Sequence, residues 1–217
     1  MGLPVLRSAV RDPRYCSEYD STAMVAVFPE PRLTSRQTHL RDALVEMVLA
    51  QGFGRLTMDQ VAAGLNCSKR TLYALAASKE QLAVLAVRHF FKRATEQVEV
   101  AIAATRNPAR RVTRYLEAVA EALRPASRAF RDDLAHFAPA AEIYEQNTVA
   151  AAHRVRELID EGIGAGAFRP VPAQLVSEVV TATMRRITSG EIGAATGLDD
   201  AQAYGELARL VVAAVRR

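Results

Sequence analysis

Glycine and proline are scarce in this chain, 11 and 9 of 217 residues, and no tract of low complexity or collagen-like period appears. Those absences exclude a fibrous or disordered polymer and leave a folded protein with enough chain to bury a real core. Cysteine is scarcer still: Cys16 and Cys67 form no ligand pair with each other or with a nearby histidine. Neither structural zinc nor a disulfide framework is implied, and a reducing cytoplasm fits best. The four histidines, His39, His89, His136 and His153, show no ligand spacing with acidic residues, so no metal and no other cofactor is expected. No run approaches the roughly 18 apolar residues of a membrane span, because charged side chains interrupt every hydrophobic stretch. Residues 3–28 carry Arg7, Asp12, Arg14, Glu18 and Asp20 within what a secretory signal would keep apolar. Catalytic signatures are missing as well: there is no phosphate loop, nucleophile elbow or paired histidine–carboxylate motif.

Half of the residues are hydrophobic and about a quarter charged, with a net charge of +4 and a pI near 9.3. That balance suits a polyanionic partner without saying anything about fold. The first 35 residues lack a sustained period and read as an arm. From Arg36, the apolar positions Leu40, Ala43, Leu44, Met47 and Val48 follow one helix face up to the breakers Gly52 and Gly54. Thr57 is a helix-starting residue, with Asp59 and Gln60 in its first turn and Met58, Val61, Ala62 and Leu65 facing inward. Asn66 tolerates the left-handed backbone that closes a helix, and Ser68 can cap the next. A long helix follows Ser78 as far as Asn107-Pro108. Further helices are expected over 109–123, 127–137, 139–162, 172–192 and 199–216, and no strand is convincing. The fold class is all-α.

Two short helices joined by a tight turn over 57–75 have the proportions of a helix-turn-helix. The second begins with Ser68, Lys69, Arg70 and Thr71, which place hydroxyls and cations at a helix N-terminus, where bases and phosphates are read. Arg36, Arg41 and Arg55 lie near in sequence and read mainly as solvated charge.

The order Thr57-Met58-Asp59-Gln60-Val61-Ala62, Cys67-Ser68-Lys69-Arg70-Thr71-Leu72-Tyr73 and Ser78-Lys79-Glu80-Gln81-Leu82 resembles the TetR family of transcriptional regulators. The resemblance implies a helix-turn-helix head at 36–78 and a helical regulatory and dimerisation domain at 79–217. It also implies that Lys69, Arg70 and Thr71 face the groove of double-stranded DNA, while Thr57, Tyr73 and Lys79 contact or position its backbone. Tyr73 is equally readable as a packing residue. Asn66 stands where the family usually has glycine, and Ala76 where an aromatic is common; the second leaves less apolar volume, which Leu75 can partly fill. The run "GIGAGAFRPVP" from Gly162 is similar to the turn before the family's penultimate helix.

The family's larger domain implies a small, apolar ligand of unknown identity, and Tyr115, Phe130, His136, Phe137, Tyr144 and Met184 are candidates to line its pocket. Apolar stripes on the last two helices, among them Val179, Ile187, Tyr204, Leu207 and Val211, are candidates for a homodimer interface, with intrachain core as the plain alternative. The resulting expectation is a repressor on a palindromic operator, released by its ligand. A helical enzyme acting on a small apolar substrate and a protein-interaction adaptor built on the same scaffold are the rival readings.

Overall fold

The computed structural model describes residues 33–217, so the expected arm at 1–35 lies outside the described residues up to residue 32. Ten helices are found among the described residues. Helix α1 (Ser35–Gln51) opens with a reciprocal capping box between Thr34 and Gln37 and stops at Gly52, whose φ of 77° suits a residue without Cβ. Helix α2 (Met58–Gly64) repeats the device with Thr57 and Gln60. Asn66 then turns the chain with φ 48°, the only non-glycine residue with positive φ among those described, and Ser68 caps α3 (Lys69–Tyr73). Helix α4 (Lys79–Ala103) is capped by Ser78, and α5 (Pro108–Leu123) by Asn107 with proline in the first turn, where no hydrogen bond is lost. Helix α6 (Arg128–His136) begins at Ser127, and Phe137 separates it from α7 (Ala138–Gly164).

The segment expected as one helix over 172–192 is two. Helix α8 (Ala173–Thr188) ends before Gly190, whose φ of 81° breaks the helix, and α9 (Glu191–Thr196) follows before α10 (Asp200–Val215). Between α7 and α8 the carbonyl of Gly162 accepts from the amides of Ala167 and Phe168, folding the Phe168 ring onto the place where a Gly162 Cβ would stand. Arg169 then ties this turn to the carbonyls of Ala214 and Val215 at the end of α10.

Two apolar cores share one helix. The first half of α4, from Leu82 to Phe91, packs with α1, α2, Leu72 of α3, and Phe130 and Leu134 of α6. The second half, from Ala94 to Ile102, packs with α5, α7, α8 and α10. All described residues belong to one compact unit. On α1, Ala43 is exposed while Val45 and Leu49 are buried, a rotation from the expected stripe. The cause is α6, which covers a second side of α1 and donates the Ser127 amide to the Leu49 carbonyl at 2.9 Å.

The expected dimer stripe needs correction. Ile187, Tyr204, Leu207 and Val211 are buried in the chain's own core at 2, 2, 6 and 6 % exposure, because α10 lies across α5 and α8; Val179 alone of the five faces outward. Burial also pushes the Tyr204 phenol well above its usual pKa. An aspartate in place of Leu207 is therefore expected to cost about 4 kcal/mol of folding stability, read as a lowered urea midpoint with loss of helical dichroism. A folded, fully helical monomer with an unchanged midpoint would return Leu207 to a subunit seam.

Candidate nucleic-acid interface

The exposed end of the head is built by caps. The Thr57 hydroxyl accepts from the Gln60 amide at 3.2 Å and donates to the Gln60 side chain at 3.1 Å. The Ser68 hydroxyl accepts from the Thr71 amide at 3.1 Å and lies 2.9 Å from the Thr71 hydroxyl. These hydroxyls therefore start the two helices as well as lying at the head's polar surface. Leu72 is fully buried against the head core and turns the rest of α3 outward, leaving Ser68, Lys69, Arg70 and Tyr73 exposed. Leu75 and Ala76 both pack on that core, so the small Ala76 is flanked by the bulkier Leu75 as expected.

The two cations of α3 differ. Lys69 donates to Asp59 of α2 at 2.8 Å, and that hydrogen bond, reinforced by the opposite charge, raises the ammonium's pKa. Arg70 projects from the helix without an ion pair to any described residue. Arg36, at the start of α1, lies close enough to Cys67 for its charge to oppose the upward push that burial gives the thiol, which places a further cation beside the turn.

Lys79 is turned elsewhere than expected. Its ammonium donates to the Gly54 carbonyl at 2.9 Å, so it braces the α1–α2 loop. The opposite side of that loop is held by a residue the sequence did not single out. Asp133 of α6 accepts from the amides of Phe53 and Gly54 at 2.6 and 2.7 Å through one carboxylate oxygen. A Cβ at either Gly52 or Gly54 would run into this carboxylate. The pair of glycines, read from sequence only as breakers, is thus the cradle of an acid some 80 positions away. The spacing Gly52-Phe53-Gly54 was the available signal, but nothing local could name its partner.

The six candidate pocket residues do not come together. Phe130, Phe137 and Tyr144 pack with the head core, where Phe130 meets Phe53 and Phe90 edge-on at centroid distances of 6.3 and 5.6 Å. Tyr115 and Met184 lie in the other core, the Tyr115 hydroxyl 3.5 Å from the Ala151 carbonyl and its pKa raised by burial. His136 is exposed at the end of α6, its Nδ1 2.7 Å from the Asp132 carbonyl. Among the described residues no group of three histidine, cysteine or acidic side chains is placed to hold a metal ion, and no helix is long and apolar enough to cross a membrane.

A capped two-helix unit with an outward, cation-bearing second helix defines a helix-turn-helix DNA-binding protein. Residues 40–86, which contain that unit, match the family described as bacterial regulatory proteins, tetR family. Over those residues the chain is similar to transcriptional regulators of the TetR family, whose helix-turn-helix binds DNA. No curated protein sequence matches it. Solved structures extend the likeness of fold across the body. A transcriptional regulator from Saccharomonospora viridis in complex with choline is 14 % identical with a TM-score of 0.68, covering 85 % of this chain and 100 % of that one. The fatty acid degradation regulator FadR from Bacillus halodurans is 12 % identical with a TM-score of 0.66, covering 84 and 97 %. The ketosteroid transcriptional regulator KstR2 of Mycobacterium tuberculosis is 20 % identical with a TM-score of 0.56, covering 86 and 97 %.

Freeing Lys69 tests the electrostatics of this face. The substitution Asp59→Asn is expected to steepen the dependence of log affinity on log salt by about 0.9, the increment for one added phosphate contact. An unchanged slope would leave Lys69 outside the DNA footprint.

Proposed function

We propose that the chain is a homodimeric repressor that holds a palindromic operator and lets go when a small ligand binds its body. In this reading residues 36–78 read DNA and residues 79–217 sense and dimerise. Arg70 and Thr71 read base edges, Lys69 and Tyr73 reach phosphates, and Thr57, Ser68 and Lys79 set the posture of the two helices. The observation that carries the DNA reading is the outward α3 with Arg70 unpaired among the described residues, seated at the N-terminal end where groove contacts are made.

The dimer reading is supported by apolar side chains left on the outer faces of α8 and α10. Leu175, Val179 and Leu210 are 60, 54 and 68 % exposed, among the few large hydrophobics that the described residues leave in water. They replace Ile187, Tyr204, Leu207 and Val211 as the contact set, and a two-fold axis through such a patch would present two heads to adjacent half-sites. The ligand reading draws on the relative solved with choline and on the two whose names specify fatty acids and ketosteroids, all sharing this body's fold. A ligand entering the body must separate groups now packed together, such as Tyr115 and Met184, and so favours a different arrangement of helices.

Selection from random duplexes is expected to return an inverted repeat, and Val179→Glu with Leu210→Glu should give a folded monomer that binds it at least about a hundredfold more weakly. Recovery of a single unrepeated site by a monomeric wild type would remove the dimer model. On the selected duplex, Arg70→Ala should change base preference at one position of each half-site by about 1–3 kcal/mol. Lys79→Ala, acting through the loop, should weaken all sequences alike. Equal losses across base variants for Arg70→Ala would end its role in readout.

A further inference from the structure

Asp133 lies on α6, outside the helix-turn-helix, yet among the described residues its carboxylate is the side chain that accepts from the amides opening the α1–α2 loop. The same loop residue, Gly54, is held on its carbonyl side by Lys79 from the start of α4. The Gly54 residue is therefore pinned from both sides, by an anion of α6 and a cation of α4. Two further contacts attach α6 to the head: the Ser127 amide on the Leu49 carbonyl, and the Phe130 ring between Phe53 and Phe90. A different side chain of α6 points the other way. Arg131 donates to Asp200 at the start of α10 at 3.3 Å.

We propose that Asp133 is a positioning residue for DNA binding, which fixes the α1–α2 loop and so the angle at which α3 is presented. The assignment rests on the reading of the head as the DNA-binding element. Helix α2 is capped at Thr57, three residues beyond Gly54, so the clamp sets where that helix begins; α3 in turn is packed on α2 and α4 through Leu72. A five-residue helix has no stability of its own and takes its orientation from what it packs on. Because α6 also reaches α10 through Arg131, a shift of the body's helices is transmitted to the loop by the charge-assisted hydrogen bonds that Asp133 accepts from Phe53 and Gly54. Direction matters here: losing the clamp loosens the head without touching the body.

The crowding at Gly54 supplies a test specific to the clamp. A methyl group there collides with the Asp133 carboxylate, so Gly54→Ala expels the acid from the loop while leaving the charge in the protein. Asp133→Ala and Gly54→Ala, made in the full chain, are each expected to lower affinity for a duplex selected by the wild type by about tenfold, within the usual range of coupling between sites. The double variant should be no weaker than either single one, because each change removes the same contact. Asp133→Asn, whose amide oxygen can still accept from both N–H groups, should stay within about threefold of wild type. Hydrogen–deuterium exchange without DNA should show faster exchange over residues 52–66 in the first two variants, with α7 and α10 unchanged. Additive losses near a hundredfold, or Asp133→Ala with wild-type affinity and exchange, would overturn the proposal. If the wild type itself prefers no duplex over scrambled DNA, that failure belongs to the regulator assignment, and the exchange data alone then uphold or overturn the clamp.

Discussion

Helix α4 is the constraint on which the rest of the molecule depends. It contributes Leu82 to Phe91 to the core of the head and Ala94 to Ile102 to the core of the body, within one unbroken helix. A helix hydrogen-bonded along its whole length moves as a rod, so a rearrangement in one core reaches the other without a separate connector. The head cannot be treated as an appendage on a linker. Its helix α3 is too short to stand alone, and it is held by burying Leu72 against the same rod. Ion pairs add cross-ties on both halves: Arg154 of α7 reaches Glu99 of α4 at 2.9 Å in the body, and Arg93 of α4 reaches Glu46 of α1 at 2.6 Å in the head. Pairs of this kind, with the carboxylate still in water, fix register more than they stabilise.

The head was legible because its information is local. Capping residues speak about the next three positions, so Thr57 and Ser68 marked the starts of α2 and α3, and Asn66 marked the left-handed turn between them. Spacing of apolar residues likewise announced α4, α5 and α7. What failed was any statement that depended on which side of a two-sided helix meets a partner. Helix α10 is apolar over much of its circumference, so its periodicity does not distinguish the stripe of Tyr204, Leu207 and Val211, which faces the chain's own core, from Leu210, which faces solvent. The aromatic side chains expected around a ligand were read by chemistry alone. Their distribution between two cores follows from how α6 and α7 fold back, which no window of sequence contains.

The loop between α1 and α2 shows the same limit from the other direction. Gly52 and Gly54 were correctly read as ending a helix, and Gly52 does adopt a positive φ of 77°, with ψ of −175°, that a side chain would disfavour. Their further role, making space for Asp133, rests on a contact spanning some 80 residues. The charge of Lys79 is a parallel case: the residue type fits a phosphate contact, but the folded chain offers it the nearer carbonyl of Gly54. A cation at the edge of the helix-turn-helix thus shapes the loop beneath it.

The account stands most directly on sequence-specific DNA binding by the intact chain. Fluorescence anisotropy of the purified protein on duplex from upstream of its own gene, against a scrambled duplex of equal length and across a salt series, measures it. The account predicts binding to one site at least about a thousandfold tighter than to scrambled DNA at about 150 mM salt. Equal, weak and steeply salt-dependent binding to both, persisting for duplexes selected from a random pool, would contradict it and leave only a basic helical protein.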